Sequence, residues 1–239
     1  LELSVLRAPT DNERNIAQYW YHLDIWQGEN FESLFNKVYA IAAEGNEITV
    51  TGSLSGVSHV PFFRYEQTVS FYDGGIAHVS LKGKIRENCI WLPRLGYETK
   101  LKKSVSAFEY LGAGPSESYC DMHNASPVGV YRSTAAKEYV NYVMPQEHGN
   151  HTSTSWVNVG GIFTASAAEP FDMKVSAYSA RRLFDAKHTD ELGASDGTYV
   201  RIDYMDSGIG SNSCGPALDP KWRLDDKDIL FEFDITLNI

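Results

Sequence analysis

The sequence lacks the features that mark membrane, disulfide-stapled and nucleic-acid-binding chains. No apolar run approaches the roughly 20 residues that a membrane-crossing helix needs. Leu1 opens in mid-pattern, without a basic start and an apolar signal core, so the reading is a soluble chain whose beginning is a cut. Cysteine is scarce: Cys89, Cys120 and Cys214 are far apart and odd in number, which fits reduced thiols in a cytoplasmic compartment better than a disulfide framework. No CxxC pair exists, so spacing gives no zinc site. The net charge of −10 comes from carboxylates spread along the chain, and the basic clusters (Lys100, Lys102 and Lys103; Arg181 and Arg182) are too small for a phosphate-binding stripe, which argues against nucleic acid as a partner. Internal repeats, low-complexity tracts and linkers rich in Pro, Gly or charge are also missing, which predicts one domain over residues 1–239.

What is present is an ordinary globular composition, 43% hydrophobic and 22% charged, in a chain long enough to bury roughly 70% or more of its unfolded surface. Ile16, Tyr19, Trp20 and Leu23 fall at helical spacing, which predicts a short amphipathic helix over Asn15–Gln27, with Asp11 or Asn12 as its cap. Beyond it the period becomes two: Ile48 and Val50, then Phe63 to Val69, then Ile76 and Val79, with Asp73, Gly74 and Gly75 as a hairpin turn. Similar runs span Ile90–Leu101, Ala107–Leu111, Tyr139–Met144, Trp156–Ala165, Met173–Tyr178, Tyr199–Tyr204 and Ile229–Leu237. A second helix is expected over Ser179–His188, capped by Ser179, with Ala180, Leu183, Phe184 and Lys187 on one face. Many short strands separated by turn residues predict an all-β fold, a large antiparallel β-sandwich with one or two short helices.

Six segments, in order along the chain, carry a family resemblance. They are RAPTDNERN (Arg7–Asn15), PRLGYE (Pro93–Glu98), YLGAGPSESYCD (Tyr110–Asp121), YVMPQEHGNHT (Tyr142–Thr152), LFDAKHTDEL (Leu183–Leu192) and DYMDSGIGSNSCGP (Asp203–Pro216). Together they resemble the carboxy-terminal region, or small chain, of family 2 β-galactosidases. Ser118 stands where that family usually has Asn, Cys120 where Pro is common, and His151 where Arg is common. The resemblance implies a galactose mutarotase-like supersandwich that forms the carboxy-terminal part of a larger, multidomain, cytoplasmic and homo-oligomeric enzyme. The two glutamates of retaining hydrolysis then lie on a separate barrel, so no residue of this chain is assigned a catalytic role, and the magnesium and sodium ions often used by the family sit in other domains, with no cofactor in this one. Implied partners are the remaining domains, or a large subunit, and a β-galactoside such as lactose.

Within that resemblance the segment GIGSNSCGP is the strongest functional candidate. Gly208 and Gly210 permit unusual backbone angles, and the family's loop at this position reaches the edge of the sugar pocket, which nominates Asn212, Ser213 and Cys214 as pocket-edge residues. Glu147, His148 and His151 raise the question of an acid–base pair or a metal, but a polar loop that is solvated or hydrogen-bonded to backbone is the expectation. GAGP (Gly112–Pro115) has neither the GxGxxG order nor a following Lys and Ser or Thr, and reads as a turn. Trp20, Trp91 and Trp156 fall within element patterns and are expected in the core, leaving Trp26 and Trp222 as candidate surface anchors. Two other functions remain open at this point: a free-standing mutarotase-like aldose epimerase, and a carbohydrate-binding module.

Overall fold

The computed structural model describes residues 1–15, 28–209 and 218–238. Twelve strands are joined antiparallel: β1 (Glu2–Ser4), β2 (Leu34–Glu44), β3 (Glu47–Gly56), β4 (Phe63–Tyr72), β5 (Ile76–Ile85), β6 (Arg94–Leu101), β7 (Ala107–Ala113), β8 (Val128–Thr134), β9 (Asn150–Val159), β10 (Phe163–Ser176), β11 (Thr198–Asp206) and β12 (Asp228–Leu237). The path runs β1-β6-β11-β10-β12-β5-β4-β3-β2, with β9 beside β10 and β7 bridging β9 to β8. Strand β10 belongs to both layers of the sandwich. Its first residues, Phe163–Ser166, pair with β12, whereas Asp172–Ser176 pair with β11, and the register shifts between Ser166 and Phe171. A register irregularity of this kind lets one long strand turn from one layer into the other.

Between the layers lies one large apolar cluster. Tyr97 of β6 packs on Phe233 of β12 with ring centroids 5.6 Å apart, and Tyr204 of β11 packs on Phe231 at 6.1 Å. Alternation explains β12 fully: Ile229, Phe231, Phe233 and Ile235 are buried while Asp228, Leu230, Glu232 and Asp234 face out. The β11–β10 pair differs, because it is buried on both faces. Met173 opposite Ile202 and Val175 opposite Val200 face the core, while Asp172 opposite Asp203 and Lys174 opposite Arg201 are buried on the other side.

The expected hairpin at Asp73–Gly75 is present, with Gly74 at φ 80° and Gly75 at φ 74°. The helix expected to follow Ser179 is α2 (Ala180–Asp185), and the Ser179 hydroxyl accepts from the Arg182 amide. Ala180, Leu183 and Phe184 pack as expected, with Ala186 just beyond the helix, while Lys187 is in solvent rather than on that face. Of the first predicted helix only α1 (Asp11–Asn15) is described, and Ile16–Gln27 lie outside the described residues. Its cap is Thr10, not Asp11 or Asn12. The Thr10 hydroxyl accepts from the Glu13 amide at 3.3 Å while the Glu13 carboxylate accepts from the Thr10 amide at 2.8 Å, a reciprocal capping box.

Three strand expectations need correction. Tyr139–Met144 is not a strand: Tyr139 and Tyr142 turn inward against the His148 ring at 5.4 and 6.0 Å, and aromatic packing under a loop produces the same alternation as a strand. Trp156–Ala165 is two strands joined at Gly160 and Gly161, both with positive φ. The run from Ile90 joins its sheet only at Arg94. Strands β2 and β8 lie at sheet ends and are not foreshadowed by apolar alternation: β2 is exposed along nearly its whole length, and β8 turns Val128 and Val130 outward while Tyr131 packs against Tyr110. Trp91 is in the core as expected, Trp156 is only half-buried, and Trp20 and Trp26 lie outside the described residues. Trp222 is half-buried, packed against the core cluster and the His123 ring, with the Lys221 ammonium 4.8 Å from its ring centre.

Candidate functional site

Turned away from the apolar core, the second buried face of the β6–β11–β10 layer carries an ionic network. Arg201 of β11 is its hub: Nη1 donates to Glu147 at 3.0 Å, Nε to Asp203 at 3.1 Å, and Nη2 to Asp206. Glu147 also accepts from Lys174 at 3.0 Å and from the Tyr119 hydroxyl at 3.4 Å. Arg94 donates to Asp203 and, through Nε, to the Leu6 carbonyl at 2.6 Å. Arg7, at the end of the chain's first extended segment, donates to Asp206 at 2.9 Å and to Glu13 of α1 at 2.6 Å. These side chains are buried almost completely.

Such a cluster is tolerable only if the charges balance and the hydrogen bonds are made. Arg7, Arg94, Lys174 and Arg201 supply four cations, against Glu13, Glu147, Asp203, Asp206 and Asp172. Burial raises the Asp172 carboxyl well above the ordinary range despite the Asp206 amide, which donates to it at 2.9 Å, and that shift favours its neutral form and relieves the excess of carboxylates. Burial also pushes Asp206 up, to about 6, against the pull of Arg201 and Arg7. Glu147 goes the other way: burial disfavours its charge, but Arg201 and Lys174 outweigh it and hold the carboxyl well below its usual value. His148, buried beside Lys174, is lowered to about 4 and is neutral, its Nδ1–H donating to the Gln146 carbonyl at 2.8 Å.

The network's edge holds the candidate loop. Arg7 donates to the Ser207 carbonyl and, at 3.4 Å, to that of Gly208. The Ser207 hydroxyl donates to the Leu92 carbonyl at 2.6 Å and accepts from the Leu224 amide at 2.8 Å, while the Gly208 amide donates to the Trp222 carbonyl. On the far side Leu218 is buried and its carbonyl accepts from Arg223 at 2.7 Å. Both stems of the segment are thereby tied down. Asn212, Ser213 and Cys214 themselves lie outside the described residues, as does Gly210. At Gly208 the demand is space rather than backbone angle, since a Cβ there would sit 2.6 Å from an Asp121 carboxylate oxygen. Next to this stem opens a cleft of about 420 Å³ that includes Cys120, His123, Ser126, Thr152, Asp172 and Met205 in its wall. The Cys120 thiol is pushed up to about 12, chiefly by burial, which makes it a poor nucleophile.

In the PQEHGNH segment both histidines are hydrogen-bonded to backbone carbonyls, as one of the two expectations had it, and the correction concerns solvation. Glu147, His148 and His151 are not solvated: all three are buried, Glu147 in the network and His151 tilted against Tyr110 with centroids 4.5 Å apart, its Nδ1 2.9 Å from the Ala113 carbonyl. Among the described residues no three His, Cys, Asp or Glu side chains converge as a metal site. Of the departures, Ser118 is buried and Cys120 is half-buried. Ser118 accepts from the Thr152 amide at 2.9 Å, and the Cys120 thiol points at the Asp206 and Trp222 carbonyls.

Sequence reasoning missed the network as a unit, although a signal existed. Arg7 and Glu13 come from RAPTDNERN, Arg94 from PRLGYE, Glu147 from YVMPQEHGNHT, and Asp203 and Asp206 from DYMDSGIGSNSCGP. The charged members of four separated motifs meet at one place. Gly96 of PRLGYE belongs there too, because a Cβ at this position would sit 2.4 Å from the Asp203 Cα. LFDAKHTDEL packs alongside through Leu183, Ala186 and Leu192, which enclose Ala8 of the first motif.

Both stems of one loop are thus tied to a β-sandwich, the first of them through a buried ionic layer. The chain belongs to the β-galactosidase small chain family, whose model matches residues 1–237. It is 32% identical over 239 residues to a β-galactosidase of Actinobacillus pleuropneumoniae, covering 98% of this chain and 23% of that protein. Against the β-galactosidases of Staphylococcus xylosus and Kluyveromyces lactis, identity is 29% and 31%, over 97% and 96% of this chain and again 23% of each relative. The chain thus spans about a quarter of the length of these curated relatives. Among solved structures, an aldose 1-epimerase described as putative from Escherichia coli K12 aligns at a TM-score of 0.43 with 12% identity, over 91% of this chain and 71% of that one, a likeness that carries no functional argument.

Proposed function

We propose that this chain is the carboxy-terminal accessory part of a cytoplasmic, homo-oligomeric β-galactosidase that hydrolyses terminal non-reducing β-D-galactosides such as lactose. In this reading it forms one domain, supports assembly with the rest of the enzyme and sets the edge of the sugar pocket through Asn212, Ser213 and Cys214. Family membership supports the enzyme class. The role of the loop rests on one geometric observation, the guanidinium of Arg7 bound at once to the network and to the carbonyls of Ser207 and Gly208. A buried donor of this kind fixes where a loop starts, and the position of a substrate-facing group within about 1 Å governs rate.

The test is kinetic and uses the full-length protein that contains this sequence. Aryl β-galactoside hydrolysis should be abundant in that protein and absent from the isolated chain. Replacing Cys214 by Trp should alter KM for galactosides by severalfold, because a large ring would narrow or stack on the pocket edge. Unchanged KM and kcat in Cys214→Trp, Asn212→Ala and Ser213→Ala together would remove the loop from the pocket.

A further inference from the structure

The sandwich layers are unequal, and the mismatch leaves part of an inner face without a cover among the described residues. Following one row of directly paired residues across β12, β5, β4, β3 and β2 gives Phe233, Val79, Val69, Ile48 and Ala43. Phe233 is 1% exposed and Val79 0%, Val69 is half-buried, Ile48 is 38% exposed and Ala43 is open. The next row, Phe231, Leu81, Gln67, Val50 and Ile41, ends with Ile41 at 69%. Both rows begin in the core and emerge from it at the same strands.

The opposing layer explains where the cover stops. Its strand β11 lies over β12, through Tyr204 on Phe231, and its strand β6 reaches further, with Tyr97 touching Phe233 and donating to Gln67 of β4 at 2.8 Å. Strand β1 comes next and pairs only with β6 among the described strands. The steps β11, β6, β1 in one layer follow β12, β5, β4 in the other, so the place beyond β1 lies over β3 and β2. What faces that place is apolar: Val38, Ile41, Ile48 and Phe71 are all more than a third exposed. A free strand edge beside an uncovered apolar face is a site for β-strand addition, since the edge supplies backbone hydrogen bonds and alternate side chains of the added strand bury onto the face about 10 Å below.

We infer that an extended segment from elsewhere in the same β-galactosidase polypeptide adds to the open edge of β1 and lays its apolar side chains over Val38, Ile41, Ile48 and Phe71. The occupant is assigned to the same polypeptide because the chain spans only 23% of its relatives, so the greater part of each relative's length lies outside the matched region. This rests on the reading that the chain is one part of a longer enzyme.

The experiment is peptide-resolved thiol labelling of the full-length protein carrying Ile41→Cys, with Lys82→Cys as an exposed control. Its intact mass is measured first. In a polypeptide several times longer than this chain, the thiol at position 41 should label on the order of 100-fold more slowly than the control, and the protection should persist on dilution. Labelling at the control rate in such a polypeptide overturns the added strand while leaving the enzyme reading intact. Protection that disappears on dilution to the monomer also overturns it, by showing that a second copy is the cover. A cellular polypeptide no longer than this chain overturns both readings.

Discussion

Replacing Arg7 by Met tests whether charge balance holds the second buried face together. Arg7 has no solvent exposure, and its loss removes one buried cation from the network and deprives Glu13 and Asp206 each of a guanidinium bond. An uncompensated buried charge costs roughly 3–5 kcal/mol. With a urea dependence near 3 kcal/mol per molar, the unfolding midpoint should fall by roughly 1–1.7 M. The companion change is Glu13→Gln, which keeps an oxygen for the Thr10 amide but removes the charge. Alone it removes one of the two carboxylates that pair with Arg7 and should destabilise by about 2 kcal/mol; combined with Arg7→Met it removes one charge of each sign. The double variant should therefore be more stable than the sum of the two losses predicts, by at least about 1.5 kcal/mol of coupling. Hydrogen exchange adds a local readout, because the Gly208 amide, bound to the Trp222 carbonyl in the stem gripped by Arg7, should exchange faster in Arg7→Met. Additive losses within about 0.5 kcal/mol, or an Arg7→Met loss below about 1 kcal/mol, would refute the balanced-network account.

Other outcomes follow from the same geometry. His148 is neutral in the folded chain, its value lowered from 6.5 to about 4, whereas the unfolded chain binds the proton near 6.5. Its contribution, about 3 kcal/mol, is complete above pH 6.5 and lost as pH falls toward 4, so a stability-versus-pH profile should lose that slope in His148→Gln. Gly208→Ala drives a methyl group into the Asp121 carboxylate and should destabilise the loop stem by about 1–3 kcal/mol, measured by chemical denaturation. Phe233→Ala removes a ring from the centre of the core and should cost about 3–5 kcal/mol in the same assay. Burial pushes the Cys89 and Cys120 thiols up to about 12, so at pH 8 both should alkylate at least about 100-fold more slowly in the native chain than after unfolding.

Much of this was legible in the residues. The hairpin at Asp73–Gly75, the cap at Ser179 and the buried row of β12 depend on local chemistry: glycine at positive φ, a hydroxyl for a helix amide, and a period of two. Tyr139–Met144 shows the limit of that logic, since a loop that tucks two tyrosines under His148 writes the same alternation as a strand. Strands β2 and β8 show the converse, because β2 is exposed on both faces and β8 turns its valines outward, so neither carries the pattern of a half-buried strand.

The sequence by itself determined the strand-rich class, the main turns and the family, because these rest on residue type and order. Only the tertiary structure decided what the charged residues do. Nothing in residue type or local order sets Arg7, Arg94, Glu147, Lys174, Arg201 and Asp206 apart from the other charges of a chain of net charge −10, and whether a charge is solvated or buried depends on what the rest of the chain brings against it. Desolvation and pairing are properties of neighbours far apart in sequence, here up to 199 residues between Arg7 and Asp206, and no local pattern encodes them.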